Sequence, residues 1–469
     1  MAIAPLLDQA LRGTLPVRFE AYDGSSTDRA DAVATIRIRS RQGLARFLSR
    51  PGELGVVRAY VSGDIDIDGD LLELLANGTM LEFGLSGIDP RAAARLVRET
   101  GPSVFLSPPP PPEEIRLRGG IHSRTRDASA ISHHYDVGNE FYELVLGPSL
   151  VYSCAVWTDP SISLEQAQTN KLDLVCRKLD LQPGQRLLDV GCGWGSMVLH
   201  AAQHYGVKAV GITLSTEQAE RATKRVHDAG LSDRIEIRVQ DYRDVTDGPF
   251  DAISSIGMFE HVGRKRMEQY LRDLHALLVP EGRLLNHAIS RPGYPQPDTF
   301  IGHSRQVARR LATAIGSDHT SKVQSALIER YVFPDGELHE VGVLISMMQE
   351  NGFEVRHVES LREHYDLTLQ RWVRNLEANW DEAVRLVGEG RARVWLLYMA
   401  AVVWPTQNSG RRGIPLRPSV VRVARTCSIC TPPSRKFTAD AAMYSNHTRA
   451  RPSPTSRTAS SQFASRLRT

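Results

Sequence analysis

The chain has 469 residues, of which 41% are hydrophobic and 24% are charged, a balance typical of a soluble globular protein with two domains. No stretch approaches the roughly 18 uninterrupted apolar residues of a membrane-spanning helix, which excludes an integral membrane protein. The net charge of +3 conceals an asymmetry, because twelve of the 57 basic residues but one of the 54 acidic residues lie after Ala400. The preceding part is therefore acidic, which excludes a generally basic nucleic-acid-binding protein.

The N-terminus and the cysteines indicate the cellular compartment. Residues 1–5 do not form a basic segment followed by a long apolar run, so they do not resemble a secretory signal. Five cysteines are too few, and odd in number, for a disulfide framework. We therefore expect a cytoplasmic protein.

The first predicted unit covers residues 1–107. It combines an amphipathic segment, Leu6–Leu11, with an alternating strand-like run, Ala34–Ile38, and so predicts a small α+β domain. Five consecutive prolines, Pro108–Pro112, follow. They predict an extended linker without hydrogen bonds over residues 108–132.

The second predicted unit covers residues 133–400. Short apolar runs alternate there with helical patterns, which is typical of parallel βαβ units and an α/β fold. The predicted strands are Arg186–Val190, Ala209–Ile212, Ile235–Val239, Asp251–Ile256 and Arg283–His287.

Residues 401–469 differ in composition from the rest of the chain. They are rich in Arg, Ser, Pro and Thr without hydrophobic periodicity, which predicts a disordered basic tail. Cys427-x-x-Cys430 is not accompanied by a second ligand pair at zinc spacing, so we predict no metal site.

A glycine-rich turn follows the first predicted strand of the α/β unit. The pattern Asp189-x-Gly191-x-Gly193-x-Gly195 lets backbone N–H groups approach a ligand at a helix N-terminus. Its spacing differs from the Gly-x-Gly-x-x-Gly of nicotinamide enzymes, and Asp189 suits the cationic amino-acid end of S-adenosylmethionine. On these residues alone, a tight turn without a ligand remains the alternative.

Polar residues also follow the next two predicted strands. Thr213 and Gln218 are candidates for the ribose or amino-acid group, although a helix cap by Ser215 explains the same pattern. Asp241 and Tyr242 are candidates to hold an adenine. Because ligands of open α/β sheets bind at the carboxyl ends of strands, the three positions together predict one cofactor site.

These positions, read with Tyr135–Tyr142, Val151–Trp157 and Gly257–Gly263, make residues 133–399 resemble the cyclopropane fatty acyl phospholipid synthases and mycolic acid methyltransferases. The resemblance implies a Rossmann-like class I methyltransferase sheet. It also implies S-adenosylmethionine-dependent methyl transfer to the double bond of an unsaturated acyl chain in a membrane phospholipid, by a peripherally membrane-associated enzyme. It adds Tyr152, Ser153, Trp194 and Leu214 to the expected cofactor site.

The resemblance extends to two further regions. The N-terminal unit looks like the lipid-associated domain of the longer, phospholipid-acting members. The segment Phe333–Glu340 looks like a branch associated with 10-methyl, tuberculostearic-type acids. The implied product is a cyclopropane or a methylene branch that a separate reductase would saturate, and the enzyme would act as a monomer or a homodimer.

In this family the base is a bound bicarbonate, and the resemblance places its ligands on the backbones of Cys154 and Ile289 and the side chains of Glu260, His287 and Tyr365. Each residue also has a plain structural explanation. Cys154 could be a small buried residue, His287 a satisfied core histidine, Tyr365 a half-buried aromatic and Glu260 a surface carboxylate. Their joint order along the chain favours the anion site.

The resemblance stops after Ala400, where the family continues with a helix and a closing strand. The change in composition suggests an out-of-frame translation of a GC-rich gene, and a basic membrane tether is the competing interpretation. Two other functions remain open: a protein that binds S-adenosylmethionine or lipid without turnover, and a methyltransferase for small polar molecules.

Overall fold

The computed structural model describes residues 2–50, 52–76, 89–101, 104, 106–115, 126, 137–291, 325–407 and 417–425. Residues Met1–Thr426 belong to one compact unit. The second unit, Cys427–Thr469, lies outside the described residues and contains both cysteines of the Cys-x-x-Cys pair.

The N-terminal part is a three-stranded sheet with helices. Strand β1 runs parallel to β2, and β2 runs antiparallel to β3. Alternation along β2 buries Ala34, Ile36 and Ile38. The elements are α1 (Ile3–Ala10), β1 (Val17–Ala21), β2 (Ala34–Ile38), α2 (Arg41–Ser49), α3 (Glu53–Val61), β3 (Ile65–Gly69), α4 (Leu71–Ala76) and α5 (Pro90–Thr100).

The proline-rich segment is bonded to its neighbours, so the expectation of a linker without hydrogen bonds is wrong for residues 106–115. The Pro109 carbonyl accepts a hydrogen bond from Arg46 at 2.7 Å. Glu114 is buried and accepts from Arg58 at 2.7 and 2.8 Å and from Arg330 at 2.8 Å. Burial opposes ionisation, yet these guanidinium groups lower the pKa of Glu114 to about 2. Proline carbonyls remain good acceptors although the nitrogens cannot donate.

Residues 137–407 supply the larger α/β part. Its helices are α6 (Asn139–Leu146), α7 (Leu164–Leu179), α8 (Ser196–Tyr205), α9 (Thr216–Asp228), α10 (Phe259–Val262), α11 (Arg264–Ala276), α12 (Val341–Glu350), α13 (Arg362–Ala378), α14 (Trp380–Val387) and α15 (Glu389–Gln407). Its strands are β4 (Arg186–Val190), β5 (Lys208–Thr213), β6 (Ile235–Val239), β7 (Phe250–Ile256), β8 (Leu278–Arg291), β9 (His339–Glu340) and β10 (Phe353–Ser360).

An eight-stranded sheet includes these strands and β11 (Arg417–Arg425), in the order β10-β11-β8-β7-β4-β5-β6, with β9 pairing β8. Strands β6, β5, β4, β7 and β8 pair in parallel. Side chains that alternate along β4 enter separate cores, Leu187 on one face and Leu188 on the other. Each predicted strand of this part lies within an observed one. The predicted Rossmann-like α/β fold is therefore confirmed.

The predicted disorder from residue 401 is wrong for two segments. Helix α15 continues to Gln407, and β11 lies antiparallel between β8 and β10. The run Val420-Val421-Arg422-Val423 has the β-branched content of a strand, and the two flanking strands offer unpaired backbone edges for it. Residues 417–425 therefore supply a strand of the sheet, while the out-of-frame origin of the tail stays a prediction. Residues 408–416 and 426–469 lie outside the described part.

The two parts of Met1–Thr426 are bonded to each other. Arg393 of α15 is buried and donates to the carbonyls of Tyr60 and Ile65 at 3.2 and 3.1 Å, and to the Asp66 carboxylate at 2.6 Å. None of the helices in the described residues is long and apolar enough to span a bilayer.

Candidate active site

A cavity of about 110 Å³ opens at the carboxyl ends of β4, β5 and β7 and after β6. All three segments in which the sequence predicts cofactor-binding residues, one after each of β4, β5 and β6, contribute to its lining. The predicted cofactor residues that line it are Gly191, Gly193, Thr213, Leu214, Gln218, Asp241 and Tyr242. The order of strands thus brings together three segments that are separate in the sequence.

The three glycines of the turn after β4 have positive φ angles of 78°, 53° and 79° but serve different purposes. A Cβ atom at Gly191 would lie 2.6 Å from the Met258 sulfur. A Cβ atom at Gly195 would lie 3.2 Å from Ala222 of α9, so that glycine permits close packing. At Gly193 the nearest atom would be the Gln218 amide nitrogen at 3.9 Å, and the space belongs to the cavity.

The residues after β5 serve both as a helix cap and as a cavity lining. The Ser215 hydroxyl accepts from the Gln218 backbone N–H at 3.2 Å and caps α9, as the structural alternative predicted. The Thr213 hydroxyl donates to the Gln218 side-chain oxygen at 2.9 Å. This bond orients Thr213 and Gln218 at the cavity wall, and their contact with the cofactor stays a prediction.

The residues after β6 are also held in place. Asp241 accepts from the backbone N–H of Arg243 at 3.0 Å and from its Nε at 2.8 Å. The Tyr242 ring meets the edge of Tyr270 with ring centroids 4.7 Å apart. Asp241 and Tyr242 both line the cavity, and their contact with an adenine stays a prediction.

Five predicted cofactor residues do not line the cavity: Tyr152, Ser153, Asp189, Trp194 and Gly195. Asp189 does not line the cavity because its carboxylate is buried and accepts from the Ser254 hydroxyl at 2.6 Å, and its contact with the cofactor stays a prediction. Burial raises the pKa of Asp189 to about 6, against the effects of Ser254 and Lys171. Trp194 donates to Asn139 at 2.7 Å. Strand polarity alone cannot separate a carboxylate that faces a ligand from one that faces its own sheet.

The sequence reasoning missed one side of the cavity. Residues 332–336 line this side. In the sequence, this segment indicated only a branch of the family. The segment is fixed by hydrogen bonds from the Glu337 N–H to the Glu260 carbonyl at 2.8 Å and from the Arg264 N–H to the Glu337 carboxylate at 2.7 Å. Pro334-Asp335-Gly336 is a turn sequence that could have indicated a loop over the site.

The five predicted anion-site residues come from four different elements. Cys154 lies in the loop before α7, Glu260 in α10, His287 and Ile289 in β8, and Tyr365 in α13. Cys154, His287 and Tyr365 are buried. The Ile289 N–H donates to Glu260 Oε1 at 2.7 Å, which joins α10 to β8.

Burial sets the protonation of this cluster. It raises the pKa of Glu260 to about 7, although the Ile289 amide acts in the opposite direction. It lowers the pKa of His287 to about 3, with the positive charges of Lys171 and Lys178 adding to the effect. It raises the pKa of the Cys154 thiol, which excludes a thiolate nucleophile. At neutral pH His287 is neutral, and Glu260 stands between its acid and carboxylate forms.

Two polar atoms of the cluster are buried without a hydrogen-bond partner. They are Glu260 Oε2 and His287 Nδ1. Buried polar groups are nearly always bonded, so unpaired atoms indicate a place for a ligand. A bicarbonate has both a donor and acceptors, and the cluster therefore fits the anion that the family resemblance implies.

Aromatic side chains form a wall beside the cluster. Tyr152 lies 5.4 Å from Trp372 and 5.8 Å from Trp395, measured between ring centroids, and Trp372 lies 6.4 Å from Tyr365. Tyr398 of α15, which the sequence reasoning missed, is buried in the same wall. Burial raises the pKa of Tyr398 to about 12, while the hydroxyls of Tyr152 and Tyr365 act in the opposite direction.

The protein combines an α/β sheet, three cavity-lining segments that follow β4, β5 and β6, and the acid Glu260. Together these features define an S-adenosylmethionine-dependent methyltransferase of the Rossmann-like class. The family model described as mycolic acid cyclopropane synthetase matches residues 122–405. The chain belongs to that family.

Three similar proteins support this membership. A probable fatty acid methyltransferase of Mycobacterium tuberculosis is 45% identical over 400 residues, covering 83% of this chain and 87% of the relative. A tuberculostearic acid methyltransferase of the same organism is 32% identical over 412 residues, covering 85% and 87%. The crystal structure of the mycolic acid cyclopropane synthase CmaA1 complexed with SAH and CTAB is similar with a TM-score of 0.54 and 30% identity, covering 64% of this chain and 98% of that one.

Proposed function

We propose that the chain transfers the methyl group of S-adenosylmethionine to the double bond of an unsaturated fatty acyl chain in a membrane phospholipid. The observation that carries the proposal is the cluster of the half-buried Glu260 with the buried His287 and Tyr365, in which two buried polar atoms have no hydrogen-bond partner. A nitrogen or oxygen acceptor attacks through its own lone pair. An alkene has none, and its methylation leaves a carbocation that must lose a proton, so a buried basic site is needed.

The cofactor cavity supplies the methyl donor and its orientation. Bound S-adenosylmethionine supplies an electrophilic methyl group. The side chains of Thr213, Gln218, Asp241 and Tyr242 are already fixed around the cavity before binding. Such preorganisation matters because a weak nucleophile must be held roughly 3–3.5 Å from the methyl carbon to react.

The aromatic wall stabilises the positive charge that develops on the acyl chain. Ring faces of tyrosine and tryptophan attract a cation, worth up to about 2 kcal/mol each when water is excluded. Tyr152, Trp372, Trp395 and Tyr398 are all buried or half-buried in this wall. Apolar surroundings also keep water from capturing the carbocation as an alcohol.

We expect Glu260, His287 and Tyr365 to bind the base and to control its protonation. Bound bicarbonate supplies that base. With a pKa near 7, Glu260 would help to hold this group and could exchange a proton with it at neutral pH. His287 stays neutral and can therefore act as donor through one ring nitrogen only.

The product depends on whether a hydride shift precedes the loss of the proton. Direct loss of a proton from the new methyl group closes a cyclopropane ring. A 1,2-hydride shift first moves the positive charge to the methyl-bearing carbon, and loss of a proton from the methyl group then gives a methylene branch, which a separate reductase would saturate to the 10-methyl acid. The relatives bear names of both kinds, so we propose the shared first step, at a membrane surface that the enzyme approaches peripherally.

Lipid analysis of a heterologous host that expresses this chain in the presence of oleate tests the proposal. We expect acyl chains heavier by one CH2, with retention time and ozonolysis separating a ring from a methylene branch. A host that expresses the Glu260→Gln variant at the same level is the control. Unchanged lipids from the native chain, together with methylation of a soluble acceptor by the purified protein, would contradict the proposal.

A further inference from the structure

A buried cation lies close to the anion site and has no part in the mechanism described so far. Lys171 is in α7 and is only 3% exposed. Helix α7 packs against β7 and β8, the strands that carry Ser254 and His287. Lysine is rarely buried unless a negative charge compensates it, so its position requires an explanation.

Two hydrogen bonds next to Lys171 tie α7 to the loop that carries Cys154: the Val156 N–H donates to the Ala167 carbonyl at 2.9 Å, and the Asn170 side-chain amide donates to the Val156 carbonyl at 3.2 Å. The groups whose pKa values the charge of Lys171 influences agree with this position. They are Cys154, Cys176, Asp189, His200 and His287. Two of them, Cys154 and His287, are anion-site residues. The carboxylate that opposes the charge is Asp189, which acts through space and already accepts the Ser254 hydroxyl. The helix that carries Lys171 therefore packs against both the loop of Cys154 and the strand of His287, and Ile289 joins Glu260 to that strand.

The charges around the anion site do not balance without Lys171. Asp189 and the ionised form of Glu260 are negative, His287 is neutral, and an incoming anion would add a further negative charge. Lys178 also acts on His287, but it forms an ion pair with Glu359 and its charge is already compensated. No ion pair joins Lys171 to a carboxylate among the described residues. Burial lowers the pKa of Lys171 to about 8, against the effect of Asp189, so Lys171 remains mostly charged at neutral pH.

We propose that Lys171 supplies the positive charge that holds the anionic base beside Cys154 and His287, and that Asp189 fixes this charge to the strand leading into the cofactor turn. The proposal rests on the proposed function, because it assigns the counter-charge of the same anion. It also explains why Asp189 faces the sheet instead of the cofactor cavity. One buried lysine and one buried carboxylate, interacting through space, would then serve both halves of the active site.

The test uses the full chain and the variants Lys171→Met and Lys171→Gln, with Lys178→Met as the matched control from the same helix. Transfer of labelled methyl groups from S-adenosylmethionine to vesicles of dioleoyl phospholipid is measured in carbon-dioxide-depleted buffer, with bicarbonate added stepwise. SAH affinity, determined by calorimetry, reports the cofactor cavity separately. Lys171→Gln keeps a polar side chain and serves if Lys171→Met does not fold.

For both Lys171 variants we expect the half-saturating bicarbonate concentration to rise roughly 10- to 100-fold, the scale for losing one partly screened charge. SAH affinity should change less than about threefold, and Lys171→Arg should restore part of the bicarbonate affinity. Lys178→Met should respond to bicarbonate like the native chain. A native bicarbonate response in Lys171→Gln would overturn the assignment of Lys171 alone. Lipid methylation by the native chain without any bicarbonate dependence would overturn the anion site as well.

Discussion

The cofactor cavity and the anion site are adjacent, yet they are built in opposite ways. The predicted cavity residues occupy three short runs, each directly after a strand, from Gly191 to Tyr242. The anion site draws one loop, two helices and a strand together, from Cys154 to Tyr365. The first region follows from the order of parallel strands, and the second exists only when distant elements pack.

The two regions also differ in how their polar atoms are satisfied. In the cavity, the Thr213 side chain is hydrogen-bonded to Gln218, and the Asp241 side chain is hydrogen-bonded to Arg243. Hydrogen bonds within the protein therefore fix the walls of the cavity. In the anion site, Glu260 Oε2 and His287 Nδ1 are buried without partners. Preformed walls suit a cofactor that enters and leaves in each cycle. Unpartnered groups suit a small ion that completes the site.

The largest effect should come from the anion site. Glu260→Gln and His287→Ala should each lower the turnover of lipid methylation by roughly 10²- to 10⁴-fold, the usual contribution of acid–base groups. SAH affinity should stay within a few-fold of the native value, because neither side chain lines the cofactor cavity. Single-turnover rates and calorimetry measure the two effects, with the exposed His357→Ala as control. Near-native turnover in both variants would refute the anion-site assignment.

Removing β11 should damage the anion site more than the cofactor cavity. Strand β11 pairs with β8 so that Val420 lies opposite His287 and Pro418 opposite Ile289, whereas β4, β5 and β6 lie on the other side of β7. A chain ending at Gln407 should lose about 3 kcal/mol or more of unfolding free energy, because two strand edges are exposed.

Denaturant unfolding and SAH titration of that truncated chain check this expectation, and a chain ending at Thr426 is the control. The truncated chain should bind SAH but turn over slowly. If its stability and turnover equal those of the control, β11 contributes to neither property. The sequence-based prediction of a disordered tail would then stand.

A substitution at Gly193 tests the cofactor cavity. Gly193→Val should weaken SAH binding by about a hundredfold or more, because the side chain would enter the cavity at a position with φ of 53°. Gly230→Val is the matched control, since Gly230 also has a positive φ and open space around its Cβ but does not line the cavity. Retained SAH affinity in Gly193→Val, with Gly230→Val unchanged, would remove Gly193 from the cofactor site.

The smallest effect concerns the dependence of stability on pH. Burial raises the pKa of Glu260 to about 7, so its contribution is present at low pH and is lost as pH rises toward 7. Burial lowers the pKa of His287 to about 3, so its contribution is present above the unfolded pKa and is lost as pH falls from about 6.5. Between pH 5 and 6.5 the two slopes oppose each other.

Single variants should therefore reveal slopes of opposite sign. Relative to the native chain, Glu260→Gln should become more stable as pH rises from 5 to 6.5, and His287→Ala less stable, by roughly 2 kcal/mol each. Urea unfolding at several pH values measures both slopes. Equal slopes in the two variants would show that these groups are not buried as described.

The sequence by itself determined the parallel strands of the α/β part and the polar residues that follow them. Period-two and period-3.6 patterns are local, and parallel strands place their carboxyl ends at one edge whatever the rest of the chain does. For that reason Gly193, Thr213, Gln218, Asp241 and Tyr242 were found from the sequence, and all five line the cavity.

The tertiary structure alone decided which polar groups face a ligand and which face the protein. Asp189 shares its strand with the cofactor turn, yet its carboxylate accepts from the Ser254 hydroxyl, because the pairing of β4 with β7 places the two residues opposite each other in the sheet. Strand β11 was missed for a related reason. A short run such as Val420–Val423 has no periodic pattern that would identify it as a strand from the sequence alone. It becomes a strand because it pairs with the edges of β8 and β10.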